Sequence, residues 1–309
     1  MSQDERPTVM VTSPGMAAML GRLEDHGWRA AKAWELTDEE RQAVRASIGA
    51  GEHAMKPEFL STLPNLRLIA CISAGYDGVD VDWCRAHGIE VTHAKGINAE
   101  DVADHAIGLM IAGWRNIALG DRTLRAGKWR EGVGSRPGLR GRKVGVVGLG
   151  HIGVAIAERC APFGMDVRWW GPNPKPQAKW ERADSLLALA EWCDILMIAS
   201  AANAQNRHMV DAAVIEAVGP RGMIVNVGRG SIIDEDALIA ALKDKRLGRA
   251  GLDVFEQEPT PAERWADVPG TVLTPHVAGG TVESLPAMVA QAIENVRRHL
   301  AGEELLSPV

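Results

Sequence analysis

The chain has 309 residues, more than one hydrophobic core usually supports, so two domains are expected. Its 46% hydrophobic and 24% charged residues are those of a globular protein and exclude a disordered one. A net charge of -6 offers no polyanion-binding surface, so no nucleic-acid partner is expected.

Residues 1–7 are polar and acidic, with no apolar core behind a basic patch, and no signal peptide is expected. Residues 8–11 are predicted as a strand and 14–27 as the helix after it, with further strands at 66–72 and 89–92. A long helix is predicted after Asn98, with Glu100 and Asp101 in its first turn, where the helix dipole favours negative charge. Its apolar positions Val102, Ala106, Leu109, Met110 and Gly113 run at helical spacing toward Trp114. The longest apolar stretch, 106–114, is too short to span a bilayer, so no membrane association is expected and a cytoplasmic location follows. A loop rich in Gly and Arg follows at 127–142, and strands resume at 143–147, 166–170, 194–199, 223–227 and 271–274, before a last helix at 282–301. Alternation of this kind implies an α/β fold, a parallel sheet covered by helices on both faces. Cys71, Cys84, Cys160 and Cys193 are far apart and lack metal-ligand spacing, so they are expected as buried reduced thiols, with no metal.

The strand at 143–147 runs straight into Gly148-Leu149-Gly150-His151-Ile152-Gly153, and a helical pattern follows at 154–160. A bare GxGxxG is a weak signal, but strand before and helix after are the context a dinucleotide-binding turn requires. Gly148 permits the tight turn, Gly150 lets backbone approach a pyrophosphate, and Gly153 lets the helix pack closely on the sheet. The helix N-terminus then faces the phosphate charge. A methyltransferase with the same turn is the alternative at this point. The next strand ends Arg168-Trp169-Trp170-Gly171-Pro172-Asn173-Pro174-Lys175, with Gly171 where a carboxylate would bind the ribose hydroxyls of NAD. Lys175 could supply positive charge and Asn173 a hydrogen bond to a 2′-phosphate; the alternative is a solvated surface loop.

Reducing a 2-oxo acid needs a cation for its carboxylate and carbonyl, an acid for the developing alkoxide, and a neighbour that tunes the acid. Three candidates lie in the C-terminal half, near strand ends where open α/β sheets place ligands. They are Arg229 in Asn226-Val227-Gly228-Arg229-Gly230, Glu258 before Pro259, and His276 in Thr274-Pro275-His276. Singly, each reads as a surface charge, a loop residue or a structural histidine.

Together with Ser73-Ala74-Gly75-Tyr76-Asp77, Val102-Ala103-Asp104-His105-Ala106 and Gly251-Leu252-Asp253-Val254-Phe255-Glu256, these stretches resemble the D-isomer-specific 2-hydroxyacid dehydrogenase family over nearly the whole chain. The resemblance implies two doubly wound parallel-sheet domains, a dinucleotide-binding (Rossmann) domain at 98–276 inserted into a flavodoxin-like substrate-binding domain made of 1–97 and 277–309. It implies that Arg229 clamps the substrate carboxylate and carbonyl, and that His276 is general acid in reduction and base in oxidation. Glu258 would orient His276, and Ser73, Ala74 and Gly75 would meet the carboxylate, between the domains. Asp253 would orient the nicotinamide carboxamide, with Val227, Gly228 and Gly279 also at the cofactor.

Within the family the chain looks most like glyoxylate/hydroxypyruvate and hydroxyphenylpyruvate reductases. Glu258 stands where the formate dehydrogenase branch has Gln, and no regulatory domain like that of many phosphoglycerate dehydrogenases is expected after the helix at 282–301. The expected activity is reduction of a small 2-oxo acid to a D-2-hydroxy acid by a homodimer, with NADP(H) preferred and NAD(H) also accepted. Pro172 departs from the Ser/Asn-Arg usual in that subfamily. A dinucleotide-sensing, corepressor-like binding protein and a dehydrogenase of another 2-hydroxy acid are the alternatives. The pocket that reads the substrate's side chain, to which a second subunit's residues around Trp129 would contribute, is not legible.

Overall fold

The computed structural model describes residues 6–53 and 55–309; the acidic residues 1–5 lie outside them. The chain divides into two compact units, 1–98 with 282–309, and 99–281. The crossings thus fall at 98/99 and 281/282, against the expected 97/98 and 276/277. The second lies later because residues 277 and 278 are hydrogen-bonded to Asp253 of the second unit.

The first unit begins with β1 (Thr8–Val11), α1 (Met19–Asp25), β2 (Arg29–Lys32), α2 (Asp38–Ala43) and β3 (Val44–Gly49). It continues through α3 (Pro57–Leu60), β4 (Leu68–Cys71), α4 (Val81–Ala86) and β5 (Glu90–Thr92). Its strands pair in parallel in the order β2-β1-β3-β4-β5, the flavodoxin-like order.

The second unit opens with α5 (Ala99–Trp114), α6 (Ile117–Arg125), β6 (Lys143–Val147), α7 (His151–Cys160) and β7 (Asp166–Trp170). Then come β8 (Glu181–Arg182), α8 (Leu186–Trp192), β9 (Ile195–Ile198), α9 (Ala212–Val218) and β10 (Met223–Asn226). It closes with α10 (Glu235–Lys243), β11 (Arg249–Leu252), α11 (Ala262–Trp265) and β12 (Thr271–Leu273). The parallel order β12-β11-β10-β9-β6-β7-β8 reverses direction between β6 and β9. That switch point is where a Rossmann sheet opens a ligand crevice at its carboxyl edge. The last helix, α12 (Ser284–Ala301), belongs to the first unit, where Ala292, Ile293 and Val296 pack with Val9, Val11, Ile48 and Leu68.

Both sheets are buried on two faces, so β6, β9 and β10 read as continuous apolar runs rather than alternating ones. The helix expected over 14–27 is instead a single tight turn at Pro14–Met16 followed by α1. Sequence pattern also fails to show β2, β3, β11 and α6. The strands are short and carry Ala, Arg and Gly, so sheet pairing overrides weak intrinsic preference. In β11, packing favours Gly251, since a Cβ there would lie 3.1 Å from Leu109 Cβ of α5, a tight contact. The apolar side of α5 is buried within its own unit, whereas Ile117 and Leu124 of α6 and the following Trp129 are 55, 58 and 75% exposed. All four cysteines are buried and unpaired, and burial pushes the Cys160 thiol up to about 12. No helix among the described residues is long and apolar enough to cross a membrane.

The glycine turn after β6 brings helix and strand into close approach. A Cβ on Gly153 would lie 2.0 Å from the Gly148 carbonyl oxygen, which is backbone and cannot swing aside. Gly153→Ala should therefore cost about 3 kcal/mol, the upper part of the usual overpacking range. Chemical denaturation checks this; an unchanged midpoint would show that the turn relaxes freely.

Candidate active site

The site is built from the loops that leave the carboxyl ends of β10 and β11. Asp253, immediately after β11, is 1% exposed. A buried carboxylate is tolerable only if its oxygens are hydrogen-bonded, and these are. Oδ1 accepts from the Thr274 hydroxyl at 2.6 Å and the Val277 N–H at 3.0 Å, and Oδ2 from the Ala278 N–H at 2.9 Å. The Asp253 carbonyl also accepts the His276 N–H at 2.8 Å. Four bonds thus fix the loop at residues 274–278. His105 of α5 backs this anchor, its Nε2 2.9 Å from Thr274 Oγ1 and 3.5 Å from Asp253 Oδ1.

His276 sits at the crest of that loop with φ 51°, in the left-handed region. Its Nδ1 is 2.6 Å from Glu258 Oε2, while Glu258 Oε1 accepts the Phe255 N–H at 2.9 Å. Burial pushes the Glu258 carboxyl up, but hydrogen bonds from His276 and Phe255 and the charges of His276 and Arg229 outweigh it. The group is held below its ordinary value of 4.5. Near neutral pH it is therefore an ionised, acceptor-only carboxylate, so Nδ1 carries the proton and Nε2 is the nitrogen left to give or take one.

Arg229 follows β10, and its backbone is held by a residue that the motif reading does not single out. Asn226 is 1% exposed; its Oδ1 accepts the Gly228 N–H and its Nδ2 donates to the Arg229 carbonyl, both at 3.0 Å. Asn226 also receives the Asp253 N–H on its own carbonyl. Two buried polar residues on neighbouring strands thereby carry the Arg229 and His276 loops. The structure brings Arg229, Glu258 and His276 together, with Asp253 directly behind them.

A cradle of small residues lines the ends of β6, β9 and β10. Gly148 has φ 87°, and a Cβ there would lie 2.8 Å from Ser200 Cβ; one on Gly228 would lie 2.6 Å from the Ser200 carbonyl. The Ser200 hydroxyl is buried with no hydrogen-bond partner. Gly150 caps α7 with open space where its Cβ would be, and Leu149, His151 and Ile152 complete the turn. An orphaned hydroxyl and a glycine cradle at a helix N-terminus fit a dinucleotide pyrophosphate. Val227 is buried at the end of β10, and Gly279 follows the Asp253-anchored loop.

Beyond β7, Lys175 Nζ donates to the Leu149 carbonyl at 2.6 Å, which brings its charge to the glycine turn. Asn173 is exposed. Arg168 is engaged elsewhere, 2.9 Å from Glu181 and stacked on Trp192. A further cation, Arg182, donates to the Gly171 carbonyl through Nη2 at 2.7 Å. Only the pairing of the two-residue β8 with β7 reveals it. In the first unit, the Ser73 hydroxyl accepts the Gly51 N–H at 2.7 Å and donates to the Gly75 carbonyl at 2.8 Å, closing a tight loop. Among the described residues, the Ala74 and Gly75 N–H groups donate to no protein acceptor.

Comparison with known proteins agrees with this geometry. Residues 107–278 match the family model described as D-isomer specific 2-hydroxyacid dehydrogenase, NAD binding domain. The chain is 38% identical over 283 residues to glyoxylate/hydroxypyruvate reductase A of Arabidopsis thaliana, covering 91% of this chain and 90% of that one. Among solved structures, a 2-hydroxyacid dehydrogenase from Ketogulonicigenium vulgare superposes with a TM-score of 0.89 at 38% identity, covering 98% of both chains. An NADPH-dependent glyoxylate/hydroxypyruvate reductase from Sinorhizobium meliloti, in complex with NADP and malonate, gives a TM-score of 0.91 at 34% identity, covering 99% of this chain and 97% of that one. The chain belongs to the D-isomer-specific 2-hydroxyacid dehydrogenase family.

Proposed function

We propose that the protein is an NADPH-preferring reductase of small 2-oxo acids of the glyoxylate and hydroxypyruvate type, producing D-2-hydroxy acids. The observation that carries this reading is the His276–Glu258 pair at 2.6 Å with the Arg229 charge beside it. When bound, a reduced nicotinamide supplies the hydride that the carbonyl carbon takes. His276 Nε2 gives a proton to the carbonyl oxygen, and in the reverse direction takes it from the hydroxyl. Glu258 keeps the ring in the tautomer and orientation that this requires. Arg229 holds the substrate carboxylate and carbonyl oxygen through its planar fork, which suits them better than an ammonium would. In the first unit, Ser73 shapes the loop that offers the Ala74 and Gly75 N–H groups to a carboxylate. Asp253 is assigned the positioning of His276 together with the cofactor's carboxamide.

The preference for NADPH rests on charge at the end of β7. Gly171 removes the carboxylate that would repel a 2′-phosphate, Arg182 supplies a cation beside it and Lys175 one at the glycine turn, with Asn173 as a neutral donor. The structural relative from Sinorhizobium meliloti is described as NADPH-dependent. A homodimer is part of the same reading, and the exposed Ile117, Leu124 and Trp129 provide apolar surface for it.

Three measurements test these assignments. His276→Gln should lower kcat for NADPH oxidation with glyoxylate by about 10²-fold or more, leaving cofactor affinity nearly intact. Near-wild-type turnover would remove His276 from the reaction. Glu258→Gln should change the pH dependence of stability, because the Glu258 carboxyl titrates below 4.5 in the folded chain. A depressed folded pKa contributes stability above the unfolded value and loses it as pH falls through the folded one. The wild type's advantage over Glu258→Gln should therefore be complete at about pH 6 and shrink in acid, as followed by thermal unfolding. A difference that grows on acidification would contradict the ion pair. For the cofactor, kcat/KM at fixed glyoxylate should favour NADPH, and Gly171→Asp should cut that preference by about tenfold or more. A wild-type enzyme ten or more times better with NADH would defeat this assignment.

A further inference from the structure

In the first unit, the loop after β4 has all three carbonyls of residues 73–75 occupied by donors of the same unit. The Ser73 carbonyl accepts the Ala94 N–H at 2.9 Å, the Ala74 carbonyl lies 2.8 Å from His93 Nδ1, and the Gly75 carbonyl takes the Ser73 hydroxyl. A carbonyl only accepts, so His93 Nδ1 carries the proton of that bond. These peptides are trans, and in a trans peptide the C=O and N–H point opposite ways. The bond from Ala94 therefore turns the Ala74 N–H away from the 93–94 segment, and the bond from His93 turns the Gly75 N–H the same way. These are the two N–H groups that donate to no protein acceptor among the described residues.

His93 itself is held from several directions. Its ring meets that of Tyr76 edge to face, with centroids 4.9 Å apart. The Ser307 carbonyl accepts the His93 N–H at 3.2 Å, and the Ser307 hydroxyl donates to the His93 carbonyl at 2.6 Å. Residues 307–309 run antiparallel beside β5: Thr92 pairs with Pro308, and the Val309 N–H reaches the Val91 carbonyl at 2.9 Å. That added edge is anchored on α12. Gln291 Nε2 donates to Ser307 Oγ at 3.0 Å, and Asn295, 1% exposed, accepts the Leu306 N–H on its Oδ1 at 2.8 Å. Gripped at both backbone groups and across its ring, this half-buried histidine is a fixed strut between the edge of the sheet and the Ala74 carbonyl.

We propose that His93 is a positioning residue for the substrate: its ring sets the Ala74–Gly75 peptide so that the Gly75 N–H takes an oxygen of the 2-oxo acid's carboxylate. The inference rests on the reading in which Ala74 and Gly75 meet that carboxylate. His93 touches neither substrate nor cofactor in this role and acts only through the Ala74 carbonyl. Successive backbone N–H groups aimed together make an anion site, and hydrogen bonds to an ionised acceptor are about twice as strong as neutral ones. A donor on the carbonyl of a peptide also polarises the N–H of that peptide, which strengthens the second bond. The carboxylate keeps its charge from bound substrate to transition state. What His93 contributes is therefore uniform binding, and it belongs to KM rather than to kcat.

His93→Leu and His93→Asn separate this role from a merely structural one. Leu keeps bulk without a donor, whereas the Asn amide nitrogen stands where the ring's Nδ1 does. Two quantities are read on the full-length enzyme: steady-state reduction of glyoxylate with NADPH, and calorimetric binding of oxalate to the enzyme saturated with NADP⁺. His93→Leu should raise the KM for glyoxylate and the Kd for oxalate by about tenfold, with kcat and the KM for NADPH little changed. His93→Asn should return both constants close to those of the wild type. Unchanged constants in His93→Leu would overturn the proposal. So would a loss that Asn fails to rescue, or one that the KM for NADPH shares equally, since either marks a general loosening. A wild type that does not reduce glyoxylate removes the proposed substrate and leaves His93 to the oxalate comparison; a wild type that binds no oxalate overturns the role of His93. Should His93→Leu fail to fold, His93→Gln carries the same comparison, because its amide stands at the Nε2 position, away from the Ala74 carbonyl.

Discussion

A carboxylate with almost no access to water, that of Asp253, ties the functional end of the second unit together. Its two oxygens take three donors from the loop at residues 274–278, and its backbone reaches Asn226 on the next strand. Removing it would strand the Thr274 hydroxyl and two amide N–H groups in a nearly dry environment, each a cost of about 1–3 kcal/mol. The same carboxylate would be expensive to bury without those donors. Loop and anion therefore specify each other, and the position of His276 follows from the core rather than from its own side-chain contacts.

Asn226 repeats the arrangement one strand away, with its amide satisfying one N–H and one carbonyl of the turn that carries Arg229. Because β10 and β11 are in register, Asn226 against Leu252, the two loops leave the sheet at the same level. Beside them, Gly148, Ser200 and Gly228 keep the strand ends free of side-chain bulk at the point where the sheet order reverses. The proposed reacting groups and the glycine cradle thus leave one sheet edge, which is how a parallel α/β sheet concentrates function in loops of different sequence origin.

Much of this is legible in the chain because its strongest patterns are local. The β6 strand, its glycine turn and α7 form a continuous signal, and β6 and β7 occupy the residues that periodicity assigns to them. Arg229, Glu258 and His276 stand out because Gly and Pro flank them in a recognisable order. Ser200, Arg182 and His105 are not legible in the same way, since each acts through a partner distant in sequence, and Asn226, though it bonds residues two and three positions on, reads in the sequence as an ordinary strand end. The hydrogen bond of His105 to Thr274 spans 169 positions. Arg182 is brought to Gly171 by a strand two residues long, too short for any period to register. β2 and β3 escape for a different reason: β2 (Arg-Ala-Ala-Lys) lacks strand-forming residues and is made an edge strand by β1 alone, and β3, with Arg, Ala, Ser and Gly, is made a strand by β1 and β4 on either side.

The left-handed backbone at His276 sets turnover against robustness at a single residue. A φ of 51° is disfavoured for a residue with a bulky side chain and well suited to Asn or Gly. The fold therefore carries a strain there of about 1 kcal/mol, which the Asp253 hydrogen bonds sustain. Drift toward Asn or Gly at this position would relax the loop and silence the chemistry together. Selection for stability alone would erode the histidine, whereas the proton-transfer role proposed for it would keep it in that conformation.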